Sequence, residues 1–338
     1  MQKIIITGGT GYIGSHTVVE FQEAGFEVVV IDNLSNSNIE VLDGIKNITG
    51  IKPIFYKADV TDKIEMEKIF SEHKDSIAVV HFAAFKAVGE SVQYPLKYYN
   101  NNISGLVNIF SQMLKNDIHN LVFSSSCTVY GQAKDLPVTE NTPVVKAESP
   151  YGNTKKICEE IIQDTIFSNE NMKAISLRYF NPIGAHQSSE IGELPIGVPN
   201  NLLPYITQTA IGIREKLSVF GDDYNTPDGT AIRDYINVVD LAKAHVVAVK
   251  RLILKQNTSN YEIFNIGTGI GISVMEIIKS FEKISGQKFP YQIVGRRAGD
   301  IEKIWADTTK ANEILEWKAE KTLDETIKSA WNWQLKIT

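Results

Sequence analysis

Cysteine is scarce: only Cys127 and Cys158 occur in 338 residues, and neither stands in a C-x-x-C pair or at Cys/His metal-ligand spacing. A disulfide framework and a zinc module are therefore excluded, no metal is expected, and the chain fits a reducing cytosol. Positive charge is also in short supply, with 34 Lys and Arg against 40 Asp and Glu for a net charge of −6, and no basic block interrupts the sequence. A surface that tracks nucleic-acid phosphates is not expected, although local arginines still suit an anionic small molecule. Long apolar runs are missing as well. The opening KIIITGG turns to glycine after three isoleucines, too short for a signal peptide or a membrane span. A soluble, cytoplasmic chain with no membrane partner is expected, and repeats and low-complexity tracts are absent.

What the sequence does contain is alternation. Short β-branched runs predict strands at Lys3–Thr7, Glu27–Asp32, Pro53–Lys57, Ala78–His81, Asn120–Ser124 and Lys173–Arg178. Segments of helix length lie between them: Ile13–Ala24, Lys63–Glu72, Pro95–Lys115 and Tyr151–Ser168. Strand and helix in this rhythm predict an α/β fold with a doubly wound parallel sheet of Rossmann type, whose ligands sit at the carboxyl ends of the strands. Beyond Arg178 the character changes, since Asn181–Leu203 carries Pro182, Gly184, Gly192, Pro195, Gly197 and Pro199 and reads as a long ordered loop. The expected division is a dinucleotide-binding domain over 1–180 and a smaller C-terminal α/β substrate-binding lobe over 181–338. Residues 231–267 are expected to return to the first domain as a helix, Ala231–Arg251, and a strand, Glu262–Gly267.

Residues 7–14 read TGGTGYIG, directly after the first strand and before the first helix. Gly8, Gly11 and Gly14 allow a tight turn, close approach of backbone to a pyrophosphate, and close helix packing, while the helix N-terminus supplies N–H donors. The strand and helix context that the motif demands is present. The second strand, EVVVID, ends in Asp32, 18 residues beyond Gly14, and is followed by Asn33. A carboxylate there accepts from the adenosine ribose hydroxyls and repels a 2′-phosphate, which favours NAD over NADP; the competing role is a helix-cap or turn aspartate. Asp59, after the third strand, reads either as an adenine contact or as an ordinary turn residue.

The stretch SPYGNTK, 149–155, sets Ser149 as a cap and Pro150 at the first helical position, so that Tyr151 and Lys155 share one face at i and i+4. A free phenol of pKa ~10 is only ~0.1% ionised at neutral pH, and a fixed ammonium beside it raises that fraction. The pair is a candidate general base; the plainer possibility is a surface Tyr/Lys pair worth a few tenths of a kcal/mol.

The glycine loop combined with Y-x-x-x-K resembles the extended branch of the short-chain dehydrogenase/reductase superfamily. Further blocks, SSSCTVYG (124–131), HFAAFKAVGES (81–91), RYFNPIGAH (178–186), GVPNNLLPYI (197–206) and RDYINVVDLA (233–242), are similar to the UDP-glucose 4-epimerase family, and the likeness runs from Lys3 to about Trp333. The resemblance implies an NAD-dependent interconversion of UDP-galactose and UDP-glucose through transient oxidation at C4. It gives Tyr151 as base, Lys155 as the partner that binds the nicotinamide ribose and lowers the phenol pKa, and Ser126 as a hydrogen-bond partner of the reacting O4. Together with the nicotinium charge, the ammonium would shift a partly buried phenol by ~3 units, or ~4 kcal/mol. Read alone, Ser126 is a strand-end turn serine.

For the cofactor the resemblance implies Tyr12, Ile13, Asn33, Asn36, Ser37, Asp59, Val60, Phe82, Ala83, Lys86, Asn101, Ser124 and Tyr179, beside Gly8, Gly11, Gly14 and Asp32. For the UDP-sugar it implies Lys86, Phe180, Asn181, Asn201, Leu202, Phe220, Arg233, Tyr235, Arg297 and Asp300. Arg233 and Arg297 suit a diphosphate because their forks donate bidentately. His81 ends an apolar strand and is read as a satisfied buried histidine without chemistry. A 4,6-dehydratase would need an acid/base carboxylate pair after the Ser/Thr position, and Ser126 is followed by Cys127, Thr128 and Val129. A uronate epimerase would have to recognise a C6 carboxylate, which the detailed blocks disfavour. A silent NAD-binding regulator would have no reason to keep tyrosine, lysine and serine together at catalytic spacing. Ile304 stands where the commonest bacterial members carry a tyrosine beside the sugar C2 substituent, so N-acetylated UDP-sugars are further candidate substrates. The family likeness also implies a homodimer built on the helices near 95–115 and 151–168.

Overall fold

The computed structural model describes residues 1–297 and 299–338. The strands are β1 (Lys3–Thr7), β2 (Glu27–Asp32), β3 (Ile54–Lys57), β4 (Ser76–His81), β5 (Asn120–Ser126), β6 (Lys173–Tyr179), β7 (Asn181–Ile183), β8 (Leu217–Phe220), β9 (Ile232–Asn237), β10 (Tyr261–Ile266), β11 (Gly271–Ser273), β12 (Tyr291–Val294) and β13 (Lys303–Ile304). The helices are α1 (Tyr12–Glu23), α2 (Val41–Thr49), α3 (Lys63–Glu72), α4 (Val88–Gln93), α5 (Pro95–Lys115), α6 (Pro150–Ser168), α7 (Leu202–Ala210), α8 (Val238–Ile253), α9 (Val274–Ser285), α10 (Thr309–Glu313) and α11 (Leu323–Lys336).

Seven strands form one parallel sheet in the order β10-β6-β5-β4-β1-β2-β3. The strand β1 has three consecutive isoleucines, all fully buried, as a central strand covered on both faces requires. Ile4 and Ile6 pack on the side of α1, α2 and α8, whereas Ile5 packs toward α3, α5 and α6, the period of two of an extended chain. The order reverses between β1 and β4, and the crevice beyond their carboxyl ends is the ligand position of such a sheet.

Past β6 the structure departs from the sequence reading in two places. Residues 231–251 are not one helix: IRDYIN forms β9, and only at Asn237, whose side chain accepts from the Val239 N–H at 2.8 Å, does α8 begin. The alternating IRDYIN pairs with β7, β13 and β11, and these ladder bonds override the helical continuation. The stretch 181–203 is likewise not loop throughout, for it opens with β7, carries a bridge between Ala185 and Gly192, and enters α7 at Leu202. Of the segment 231–267, α8 packs on the large sheet and β10 closes its edge, while β9 joins the small sheet. Farther on, Trp317 packs into the α1/α8 core and donates its indole N–H to the Asp240 carbonyl at 3.0 Å. A separate core, with Ile183, Leu203, Leu217, Phe281 and Ile327, joins α7, α9 and α11 to the strands β7, β8 and β12.

Candidate active site

A cavity of about 680 Å³ opens above the carboxyl ends of β1, β2 and β4. Its floor is the glycine turn. Gly8 has φ +72°, and a Cβ there would lie 2.7 Å from the Ala83 nitrogen; one at Gly14 would lie 2.1 Å from the Gly8 carbonyl oxygen. Side chains at either position would separate the turn from β4 or from α1. Gly11 precedes α1 with no side-chain cap, and the first turn has no acidic residue, so the helix N-terminus faces the cavity with its amide donors and positive end. These features fit the diphosphate of a dinucleotide.

Every proposed cofactor residue except Asp59 lines this cavity. The Asp59 carboxylate is turned instead to Asn33, at 2.8 Å, and to the Thr61 hydroxyl and N–H, at 2.6 and 2.8 Å. Burial works against its ionisation, but these bonds prevail and hold the carboxyl below the usual range. These are the bonds of a turn aspartate. Asp32 accepts from the Thr10 and Leu34 N–H groups and the Ser37 hydroxyl, which fixes the loop after β2, and it also forms part of the cavity wall.

The cap of α6 forms as its sequence dictates, with Ser149 Oγ accepting from Gly152 N–H at 3.2 Å. Tyr151 and Lys155 then project from the first turns into the cavity. Lys155 Nζ donates to the Ser124 carbonyl at 2.5 Å and to Ser124 Oγ at 3.3 Å, and lies 4.9 Å from the Phe123 ring centre and 5.9 Å from that of Tyr151. Burial pulls the Lys155 pKa down to about 8, against the raising influence of Cys158 and Glu159. For the side chains alone the balance runs against ionisation of the phenol. Burial pushes Tyr151 up to about 12; Ser126 acts in the opposite direction, and Lys155, engaged by Ser124, does not offset the desolvation. Ser126 Oγ also accepts from Thr128 N–H at 3.2 Å, so the strand-end serine caps the short 3₁₀ turn Cys127–Tyr130 while facing the phenol.

Among the proposed sugar-nucleotide residues, Lys86, Tyr151 and Asn201 line the cavity and the others do not. A second group gathers around β9. Asp300 accepts from Arg297 at 2.7 Å and lies 4.0 Å from Arg233, and the Arg297 guanidinium sits 5.5 Å from the Phe220 ring centre. Register sets Asn181 opposite Tyr235 and Ile304 opposite Arg233. Ile304 is buried in a cluster with Phe180, Cys127 and Val129, and Leu202 packs at the start of α7. His81 is satisfied, its Nδ1 lying 2.7 Å from Thr7 Oγ1.

Glu193 and Trp333 are among the cavity residues that escaped the sequence reading. Glu193 accepts from Asn201 at 2.5 Å and lies 3.6 Å from Lys86 Nζ, and burial lifts its carboxyl above the usual range against both partners. A carboxylate inside a Gly/Pro-rich loop was the available signal. Trp333 closes the wall from α11, donating its indole N–H to the Glu193 carbonyl at 3.0 Å and packing where a Cβ on Gly192 would lie 2.5 Å away. Nothing local in the α11 sequence marks it.

Comparison with known proteins agrees with this geometry. A family model described as GDP-mannose 4,6 dehydratase matches residues 5–330. A UDP-glucose 4-epimerase of Bacillus subtilis is 49% identical over 331 residues, covering 98% of this chain and 96% of the relative. The crystal structure of a UDP-glucose 4-epimerase from Stenotrophomonas maltophila with bound NAD and formylated UDP-arabinopyranose superposes with a TM-score of 0.95 at 44% identity, covering 100% and 99% of the two chains. Another from Bifidobacterium longum, in complex with NAD+ and UDP, gives 0.95 at 43% identity, covering 99% and 98%. Across the fold, the glycine cradle and nearly the entire length, the chain belongs to the UDP-glucose 4-epimerase family, within the extended short-chain dehydrogenase/reductases.

Proposed function

We propose that the chain interconverts UDP-galactose and UDP-glucose as an NAD-dependent 4-epimerase, with Tyr151, Lys155 and Ser126 as its reacting group. The observation that carries this reading is the placement of Tyr151 and Lys155 on the wall of a cavity floored by Gly8, Gly11 and Gly14, with Ser126 acting on the phenol. A secondary alcohol carbon with no acidic hydrogen cannot be inverted by proton transfer alone, but oxidation to a ketone removes its configuration. When bound, NAD supplies the reversible two-electron acceptor for the C4 hydrogen and a positive ring charge. Tyr151 takes the O4 proton as the C4–H bond yields its electron pair and hydrogen together, leaving a 4-keto sugar. After the sugar turns, C4 recovers hydrogen and electron pair on its other face, and Tyr151 returns the proton to O4. Ser126 orients O4, while Lys155 anchors the ribose and supplies charge against the phenolate. Arg233 and Arg297, held by Asp300, grip the diphosphate through the turn.

The dehydratase reading lacks its acid/base pair, because the buried Cys127 and the Thr128 hydroxyl follow Ser126. Ile304, smaller than tyrosine, supports acceptance of UDP-GlcNAc and UDP-GalNAc. The assembly proposed is a homodimer through α5 and α6, supported by Leu96, Val107 and Leu114, which lie exposed along one stripe of α5, and by Phe167, 90% exposed on α6. The large sheet would carry the dinucleotide and the later elements the UDP-sugar, in a cytoplasmic protein. No helix among the described residues is long and apolar enough to cross a membrane. The deciding experiment is to release and identify the bound nucleotide, then assay UDP-galactose, UDP-GalNAc and UDP-glucuronate in parallel. Conversion of UDP-galactose without added NAD and without net reduction of it is expected; net reduction, or turnover of UDP-glucuronate alone, would overturn the proposal.

A further inference from the structure

His245 on α8 is fully buried and has no part in the reaction described above, yet it is bonded on both sides. Its Nδ1 lies 2.9 Å from the Leu241 carbonyl oxygen and its Nε2 lies 2.6 Å from the Tyr179 hydroxyl. A carbonyl oxygen can only accept, so Nδ1 must carry the proton. Burial holds the imidazole pKa down to about 3, so the ring is neutral and has one N–H. Nε2 is then an acceptor, and Tyr179 must donate its hydroxyl proton to it. Tyr179 is part of the cavity wall, and its hydroxyl proton is committed to the histidine behind it.

We infer that His245 is a positioning residue that turns Tyr179 into an obligate hydrogen-bond acceptor toward the cofactor cavity, selecting a ligand group that donates. Within NAD the matching group is the carboxamide NH₂ of the nicotinamide, and this inference rests on the cofactor reading above. The polarity continues on the other side. Ser124 Oγ accepts from Lys155 Nζ at 3.3 Å, which leaves the Ser124 proton free for the Tyr179 oxygen, and Ser124 does favour the Tyr179 anion. Donors therefore run in one direction from Lys155 through Ser124 and Tyr179 to His245 and Leu241. The Phe82 ring, 4.7 Å from that of His245, keeps the imidazole in place.

The test uses 3-acetylpyridine adenine dinucleotide, in which a methyl group replaces the donating NH₂. The purified full chain is equilibrated with mixtures of NAD and this analogue, and the retained dinucleotide is identified by mass spectrometry. The parent chain should prefer NAD by about fivefold to tenfold, the worth of one hydrogen bond. His245→Phe should bring that ratio close to one, because the freed Tyr179 hydroxyl can rotate and donate to the acetyl oxygen; Tyr179→Phe should do the same. If His245→Phe weakens both dinucleotides equally and keeps the ratio, His245 only fills space and the inference is overturned. Should that variant not fold, His245→Asn, which places no acceptor at the Nε2 position, gives the same comparison. Nitrogen NMR of histidine-labelled protein supplies a second readout independent of cofactor: a proton on Nδ1 of His245 supports the inference and a proton on Nε2 overturns it. Failure of the parent chain to retain either dinucleotide would overturn the cofactor reading as well, whereas an unchanged ratio strikes this inference alone.

Discussion

Replacing Lys155 by methionine should make the protein more stable and inactive at the same time. Lys155 is 4% exposed, and burial lowers its pKa from an ordinary 10.5 to about 8. At 1.36 kcal/mol per unit, keeping that side chain charged in the folded state costs about 3 kcal/mol relative to the unfolded chain. The sign follows from proton counting. Between pH 8 and 10.5 the unfolded chain binds a proton that the folded chain does not, so this group's contribution to stability improves as pH rises through that window. Below pH 8 the cost is present in full. Lys155→Met removes it but strands the Ser124 carbonyl, a loss of about 1 kcal/mol, which leaves a net gain of about 2 kcal/mol at pH 7 that should fade toward pH 10.5. Activity runs the other way: in the parent chain kcat should fall as pH climbs past about 8 and the ammonium is lost. Denaturant unfolding of both proteins, stripped of dinucleotide and compared at several pH values, reads the stability difference. A Lys155→Met protein that is less stable at pH 7, or a difference that does not change with pH, would refute the reasoning.

Tyr151→Phe should lower kcat by about 10²- to 10⁴-fold while the dinucleotide stays bound, as steady-state kinetics and mass spectrometry would show; retention of most of the rate contradicts the assignment. Gly14→Ala would set a Cβ 2.1 Å from the Gly8 carbonyl oxygen, so the variant should purify without dinucleotide, and full occupancy would reject the cradle. Ile304→Tyr should reduce turnover of UDP-GlcNAc relative to UDP-glucose by about tenfold or more, and an equal effect on both sugars would dismiss Ile304 as a gate. Glu159→Gln leaves Arg178 buried without its carboxylate, which it now meets at 2.6 and 2.9 Å, and should cost about 3–5 kcal/mol in chemical unfolding. Adding Arg178→Met should recover part of that loss; simple addition of two losses would show the pair to be uncoupled.

The first half of the chain was legible because local rules and tertiary demands agree there. A fully buried isoleucine run is a central strand by composition, and glycines at 8, 11 and 14 have no other economical use between a strand and a helix. Ser149 and Pro150 likewise announce the start of α6 to the residue. The second half was harder because its elements are short and complete one another across long separations. IRDYIN followed by VVDLAKAH reads as one apolar-periodic segment until β7, β11 and β13 are there to claim its first six residues as β9. Trp333 reaches the cavity only because α11 folds back against the 181–203 segment, and the pairing of His245 with Tyr179 spans 66 residues. No window-based pattern carries such information.

The phenol illustrates the same division between what neighbours in sequence promise and what burial exacts. Spacing puts Lys155 one turn from Tyr151, and the simplest electrostatics then lowers the phenol pKa. The fold encloses both groups, and enclosure pushes each toward its neutral form, Tyr151 up to about 12 and Lys155 down to about 8. With a pKa of 12 only ~10⁻⁵ of the phenol is ionised at pH 7, and bringing it near neutrality takes about 7 kcal/mol. That value already includes Lys155, and one further unit charge in contact range supplies about 4 kcal/mol at an effective dielectric of 20, more than half of the requirement. On the proposed assignment, a positively charged ligand sharing the cavity would strengthen such a base. On that assignment, proton abstraction by Tyr151 would be favoured in the oxidised-dinucleotide state, the one in which removing the O4 proton leads to reaction.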